Sequence, residues 1–106
     1  MAIKSIESRE LKKLIDENAN FILVDCREQP EWDEGRINKA VFMPLSNFGE
    51  ESKKLTNKNA KIVLQCRSGK RSMSAAHYLE SQGFTDLYNL EGGILGWEDE
   101  GFETIS

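Results

Sequence analysis

The chain is poor in the residues that staple small proteins or hold metals. It has two cysteines, Cys26 and Cys66, in 106 residues. They are too few for a disulfide scaffold and too far apart for a C-x-x-C redox pair or a zinc site. A single histidine, His77, argues against a metal cluster, and the sequence calls for no cofactor. No apolar run approaches the roughly 18–20 residues of a membrane span. The opening segment, Met1 to Glu7, lacks the apolar stretch of a signal peptide. The expected location is therefore the cytoplasm, where both cysteines rest as free thiols. Basic excess is absent too: 14 Lys and Arg against 18 Asp and Glu give a net charge of −4. That balance disfavours nucleic acid as a partner, because such binding depends on neutralising phosphates.

What remains is the composition of an ordinary folded domain. Apolar residues make up 39% and charged residues 30%, which excludes a disordered or collagen-like chain. The length fits one domain spanning residues 1–106, with one core. There are no internal repeats and no linker. Short apolar runs alternate with amphipathic ones. Phe21 to Val24, Ala40 to Met43 and Lys61 to Gln65 read as strands of a parallel sheet covered on both faces, and so as central strands. Leu87 to Leu90 reads as a last strand and Ile3 to Ile6 as a short edge strand. Ser8 reads as the cap of a first helix ending near Asn18. Pro30 fits the first position of a short helical turn stopped by Gly35. Leu45 to Leu55 is weakly helical. Ser72 to Gln82 is the clearest helix, with Gly83 at its end, and Ile94 to Glu98 forms a last turn. The alternation predicts an α/β, doubly wound, mostly parallel sheet of about five strands with helices on both faces. Sites in such sheets lie beyond the carboxyl ends of the strands, where Asp25-Cys26-Arg27 and Cys66-Arg67 fall.

Cys66-Arg67-Ser68-Gly69-Lys70-Arg71-Ser72 carries the most chemistry. It runs from a strand end into a helix start. Gly69 permits a positive φ, and successive amides of such a loop can form an anion-binding nest. The helix adds its positive end. Arg67, Lys70 and Arg71 concentrate positive charge in an otherwise acidic chain. A cysteine in that field is expected to ionise easily. The bland alternative is an inert cysteine followed by a solvated basic turn. A phosphate-binding P-loop is excluded, because Leu64 stands where it needs Gly and Arg71 where it needs Ser or Thr. A Cys–His dyad is disfavoured: a rise of about 1.5 Å per residue carries His77 along the helix and away from the loop. Cys66 must then be activated by dipoles and cations.

This loop resembles the active-site loop of the rhodanese family of sulfurtransferases, and the likeness extends along almost the whole chain. Val24-Asp25-Cys26-Arg27-Glu28-Gln29-Pro30-Glu31-Trp32-Asp33-Glu34-Gly35-Arg36-Ile37 resembles the family's upstream signature, and Ala40 and Pro44 fall where it expects them. Asn89-Leu90-Glu91-Gly92-Gly93-Ile94-Leu95-Gly96-Trp97 resembles its closing segment. Arg36 stands where that signature usually has His, at a scaffold position. Cys26 replaces the usual aliphatic residue; it reads as a small buried hydrophobe or as a second thiol able to form a disulfide under oxidation.

The resemblance implies a thiosulfate sulfurtransferase. Cys66 would take a sulfur from thiosulfate or a related anionic donor, form a persulfide, and pass the sulfur to a cellular thiol or cyanide. Amides from Arg67 to Ser72 would hold the persulfide, and Arg67, Lys70 and Arg71 would attract the donor. Asp25, Arg27 and Glu31 would support the scaffold; alternatively they are simple surface charge. The Cys-x4-Arg spacing makes a smaller ring than the Cys-x5-Arg of related phosphatases, which sets phosphatase and arsenate-reductase readings behind sulfur transfer. An inactive regulatory domain is disfavoured by the presence of Cys66. A sulfur-relay module with a sulfur-carrier protein as partner is the main alternative. The donor, the acceptor, the pathway and the oligomeric state are not readable from the sequence.

Overall fold

The computed structural model describes residues 3–106; Met1 and Ala2, part of the opening segment read above for a signal peptide, lie outside the described residues. The elements in chain order are β1 (Ile3–Ile6), α1 (Ser8–Asp16), β2 (Ile22–Asp25), α2 (Gln29–Glu34) and β3 (Ala40–Phe42). A short helix, α3 (Phe48–Glu51), follows between two 3-10 turns. Then come β4 (Lys61–Gln65), α4 (Lys70–Ser81), β5 (Asp86–Leu90) and α5 (Gly93–Asp99). The strands form one five-stranded sheet in the order β1-β5-β4-β2-β3, with every pairing parallel.

Alternation along the central strands builds two cores. Val24, Ile62 and Leu64 point to one face and pack with Phe48, Ala75, Ala76 and Leu79 of α3 and α4. Leu23 and Val63 point to the other and pack with Leu11, Ile94 and Trp97 of α1 and α5. Ile62, Val63 and Leu64 are all fully buried. Each such side chain contributes about 1.5–3 kcal/mol of burial. This two-sided burial explains why β2 and β4 carry continuous apolar runs.

Three local expectations are corrected. First, α1 is capped by Glu7, not by Ser8, which is buried as the first helical residue. The chain leaves β1 extended at Glu7, and the Glu10 carboxylate accepts the Glu7 amide at 3.0 Å. The same device starts α2, where Glu31 accepts the Glu28 amide at 3.0 Å; the helix opens at Gln29, so Pro30 is its second residue. Second, β3 lies at the sheet edge beside β2, and Val41 is exposed. With three residues and one neighbour, its apolar run covers only one side. Third, α4 begins at Lys70, two residues before the predicted start. Gly69 at φ 111° turns the chain straight into the helix, so Arg71 and Ser72 lie on its first turn.

β2 and β4 are neighbours at the centre, with Asp25 opposite Gln65. The residues after each, Cys26-Arg27 and Cys66-Arg67, therefore emerge side by side at the carboxyl end of the sheet.

Candidate active site

The loop after β4 is shaped from both sides. The α5 amides of Ile94 and Leu95 donate to the carbonyls of Cys66 (2.9 Å) and Arg67 (3.2 Å). A trans peptide points its N–H opposite to its C=O. Drawing these carbonyls toward α5 therefore turns the following amides inward. Gly93 makes the approach possible. A Cβ there would stand 2.4 Å from the Arg67 carbonyl oxygen and 2.5 Å from that of Cys66, at a φ of 58°. No other residue fits.

Inside the loop, Cys66 Sγ accepts hydrogen bonds from the Gly69 amide (3.1 Å) and the Ser72 amide (3.4 Å), and Ser72 Oγ stands 3.4 Å away. The Ser72 amide is one of the first-turn donors that a helix leaves without an internal partner. Burial pushes the Cys66 thiol up. The Ser72 hydroxyl and the amides of Ser72, Gly69 and Ser68 outweigh it, and the ionisation falls below the ordinary thiol value. The causes that lower it are neutral hydrogen-bond donors: the loop amides that the sequence pointed to, joined by the Ser72 hydroxyl. Among the described residues, Sγ takes its donors from Ser68, Gly69 and Ser72.

Cys66 itself is 1% exposed. Cys26 is fully buried in the packed interior, and its thiol is pushed up strongly by burial, with lesser contributions from Cys66 and Asp25. Both cysteines are free.

The charged residues separate into roles. Arg71 forms a two-pronged pair with Glu31, at 2.7 and 2.8 Å. The Arg71 hydrogen bond holds the Glu31 carboxyl down at about 2, against the opposing effect of burial. Asp25 is fully buried and accepts from the Arg27 amide and guanidinium at 2.9–3.2 Å. Arg27 also donates to the Gly35 carbonyl at 2.6 Å, fastening the loop after β2 to the end of α2. Arg67, Ser68 and Lys70 are exposed on the outer rim. Arg67 also lines a cavity of about 260 Å³ beside the loop, together with Arg27, Glu31, Glu34, Leu95 and Glu98. His77 is exposed on α4, 3.6 Å from Glu80 and on no path to Sγ.

One contributor escaped the sequence reading. Asn89, at the end of β5, is buried and bonds both Ser72 and Gly69. The available signal was a lone polar residue in an otherwise apolar strand end. Among the described residues, no cluster of His, Cys, Asp and Glu is arranged to hold a metal ion, and no helix is long and apolar enough to cross a membrane.

A cysteine-bearing loop between a parallel strand and a helix, held by a second helix, is the arrangement that the sequence resemblance implies for a rhodanese-like α/β domain. The comparisons agree. The chain belongs to the rhodanese-like domain family, which matches residues 7–100. It is 40% identical over 100 residues to a Bacillus subtilis protein named as a sulfurtransferase, YtwF, covering 94% of this chain and 95% of that one. It is 34% identical over 94 residues to the thiosulfate sulfurtransferase GlpE of Pseudomonas fluorescens, covering 83% and 85%. The crystal structure of a rhodanese-like domain protein from Staphylococcus aureus superposes with a TM-score of 0.84 at 36% identity, covering 97% of this chain and 99% of the other.

Proposed function

We propose that residues 1–106 work as one cytoplasmic unit, a thiosulfate sulfurtransferase with Cys66 as its nucleophile. The Cys66 thiolate attacks the outer sulfur of thiosulfate. The new Sγ–S bond forms as the donor's S–S bond breaks, and sulfite leaves with the electron pair. The persulfide then yields its outer sulfur to a thiol or cyanide and regenerates the thiolate. The observation that carries this reading is the set of groups around Sγ: two donating backbone amides within 3.4 Å, and a hydroxyl 3.4 Å away that can turn its proton to a charged sulfur. Such donors favour the charged sulfur without being consumed. In the persulfide, the terminal sulfur would meet the remaining amides of the ring.

Arg67 and Lys70 on the rim would steer a dianionic donor, and Ser68 and Gly69 would line its path. Because Cys66 is 1% exposed, attack requires this outer rim to yield. Arg71, Asp25, Arg27 and Glu31 would act as support. The engagement of Arg71 with Glu31 disfavours a phosphatase, whose arginine must face the substrate.

A second reading is a sulfur relay, in which a protein delivers or takes the sulfur. The mixed-charge cavity beside the loop, with Leu95 exposed at its edge, supports it. Turnover with thiosulfate and cyanide separates the two. Efficient turnover supports the enzyme. No thiosulfate turnover, with rapid loading from a cysteine desulfurase, supports the relay.

A further inference from the structure

Asn89 spans the site from the side of β5, and the chemistry of its partners fixes its orientation. The Gly69 carbonyl can only accept, so the end of the carboxamide facing it at 3.1 Å is Nδ2. Oδ1 therefore faces Ser72 Oγ, and because Oδ1 cannot donate, that bond uses the Ser72 proton. A hydroxyl has one proton. While it points at Asn89, the hydroxyl turns a lone pair toward Cys66 Sγ, 3.4 Å away. That arrangement suits a thiol, which donates its own proton to Ser72. It does not suit a charged sulfur, which needs the hydroxyl proton for itself. Ser72 is fully buried and Asn89 is 8% exposed, so bulk water offers little substitute for either partner.

We propose that Asn89 is a positioning residue that competes with Cys66 Sγ for the single Ser72 proton: the hydroxyl points to Asn89 while the sulfur is protonated and rotates to the sulfur when it ionises. Asn89 thereby restrains the thiolate, while the loop amides favour it. Its second bond, to Gly69, keeps the rotating hydroxyl in register with the loop. This inference rests on the reading of Cys66 as the reacting sulfur. After sulfur transfer, Sγ is uncharged and the proton returns to Asn89.

The other groups coupled to the sulfur are Cys26 at the end of β2 and Arg71 on α4. Asp25 beside Cys26 is paired with Arg27, and Arg71 is paired with Glu31 of α2, with Glu28 also in its field. From α5 come the backbone amides that hold the loop carbonyls. None of these groups touches the Ser72 hydroxyl, so a comparison across Ser72 isolates the competition.

The test is a double-mutant cycle on the full chain. The rate of alkylation at Cys66, located by mass spectrometry, is followed against pH for wild type, Asn89→Ala, Ser72→Ala and the double variant. Asn89→Ala is expected to move the ionisation midpoint down, raising the rate on its acid side about threefold or more. In the Ser72→Ala background the same change is expected to do nothing. An equal shift in both backgrounds, an absent shift or an upward one overturns the proposal, since Asn89 would then act only through Gly69 or not at all. Should Asn89→Ala fail to fold, the Asn89 side-chain amide resonances of wild type and Ser72→Ala give the answer. They are expected to follow the Cys66 titration in wild type and to lose more than about half of that response in Ser72→Ala; an unchanged response overturns the proposal. Neither measurement uses a sulfur donor. A chain that titrates as described but accepts no sulfur counts against the proposed function alone.

Discussion

Arg71 and Glu31, from different helices, meet through two parallel hydrogen bonds of 2.7 and 2.8 Å, and this pair ties the first turn after the cysteine loop to the segment after β2. A two-pronged pair fixes the orientation of both side chains as well as their separation. Each side chain is only about a third exposed or less, so water screens the contact less than an ordinary surface pair. Arg71 thus braces the loop from outside, and the sulfur is served from inside by amides and a hydroxyl.

That pair makes stability depend on acid. The Glu31 carboxyl is lowered from its ordinary 4.5 to about 2. A lowered carboxyl contributes stability above its unfolded value and loses it as pH falls through the folded one. The stability gap between wild type and Glu31→Gln is expected to be full above about pH 4.5 and to close as pH falls toward about 2. Denaturant unfolding across that range checks it.

Gly93→Ala is expected to be severe. The added methyl would meet the Arg67 and Cys66 carbonyl oxygens at 2.4 and 2.5 Å, and the backbone at φ 58° is already strained for a side chain. A loss of more than about 2 kcal/mol is expected, together with loss of sulfur transfer, because the loop must move off α5. Urea unfolding and an activity assay measure both.

Gln65 is fully buried, and neither polar atom of its carboxamide has a hydrogen-bond partner among the described residues. A buried polar group left in this state costs about 1–3 kcal/mol. Gln65→Met keeps the length without the polar atoms and is expected to raise the denaturant midpoint with the slope unchanged. A lower midpoint would mean that the carboxamide contributes to the native state.

Cys26→Ala is expected to keep most sulfur-transfer activity, since Cys26 is fully buried and its thiol is pushed strongly upward. In the native protein an alkylating reagent is expected to label Cys66 first, and both cysteines only after unfolding. Near-complete loss of activity in Cys26→Ala would give this thiol a part in the reaction.

Much of this was legible in the sequence because the signals were local. Ile62, Val63 and Leu64 read as a strand covered on both faces, and both core clusters draw on them. Gly69 marked the turn from strand to helix. What was missed depends on distance or on fine local competition. Arg71 read as a cation for the donor, but its partner lies 40 residues away. Asn89 serves a loop 20 residues earlier, reached only when β5 pairs with β4. Ser8 is the better intrinsic cap, yet the Glu7–Glu10 contact starts α1 one residue sooner. β3 has the apolar run of a central strand, and only sheet order shows it to be an edge.

The most direct test of the central claim is intact mass after exposure to thiosulfate and removal of excess donor. Wild type and Cys26→Ala are expected to gain one sulfur atom, and Cys66→Ala none. A sulfur retained in Cys66→Ala, or found on Cys26 in wild type, would contradict the account.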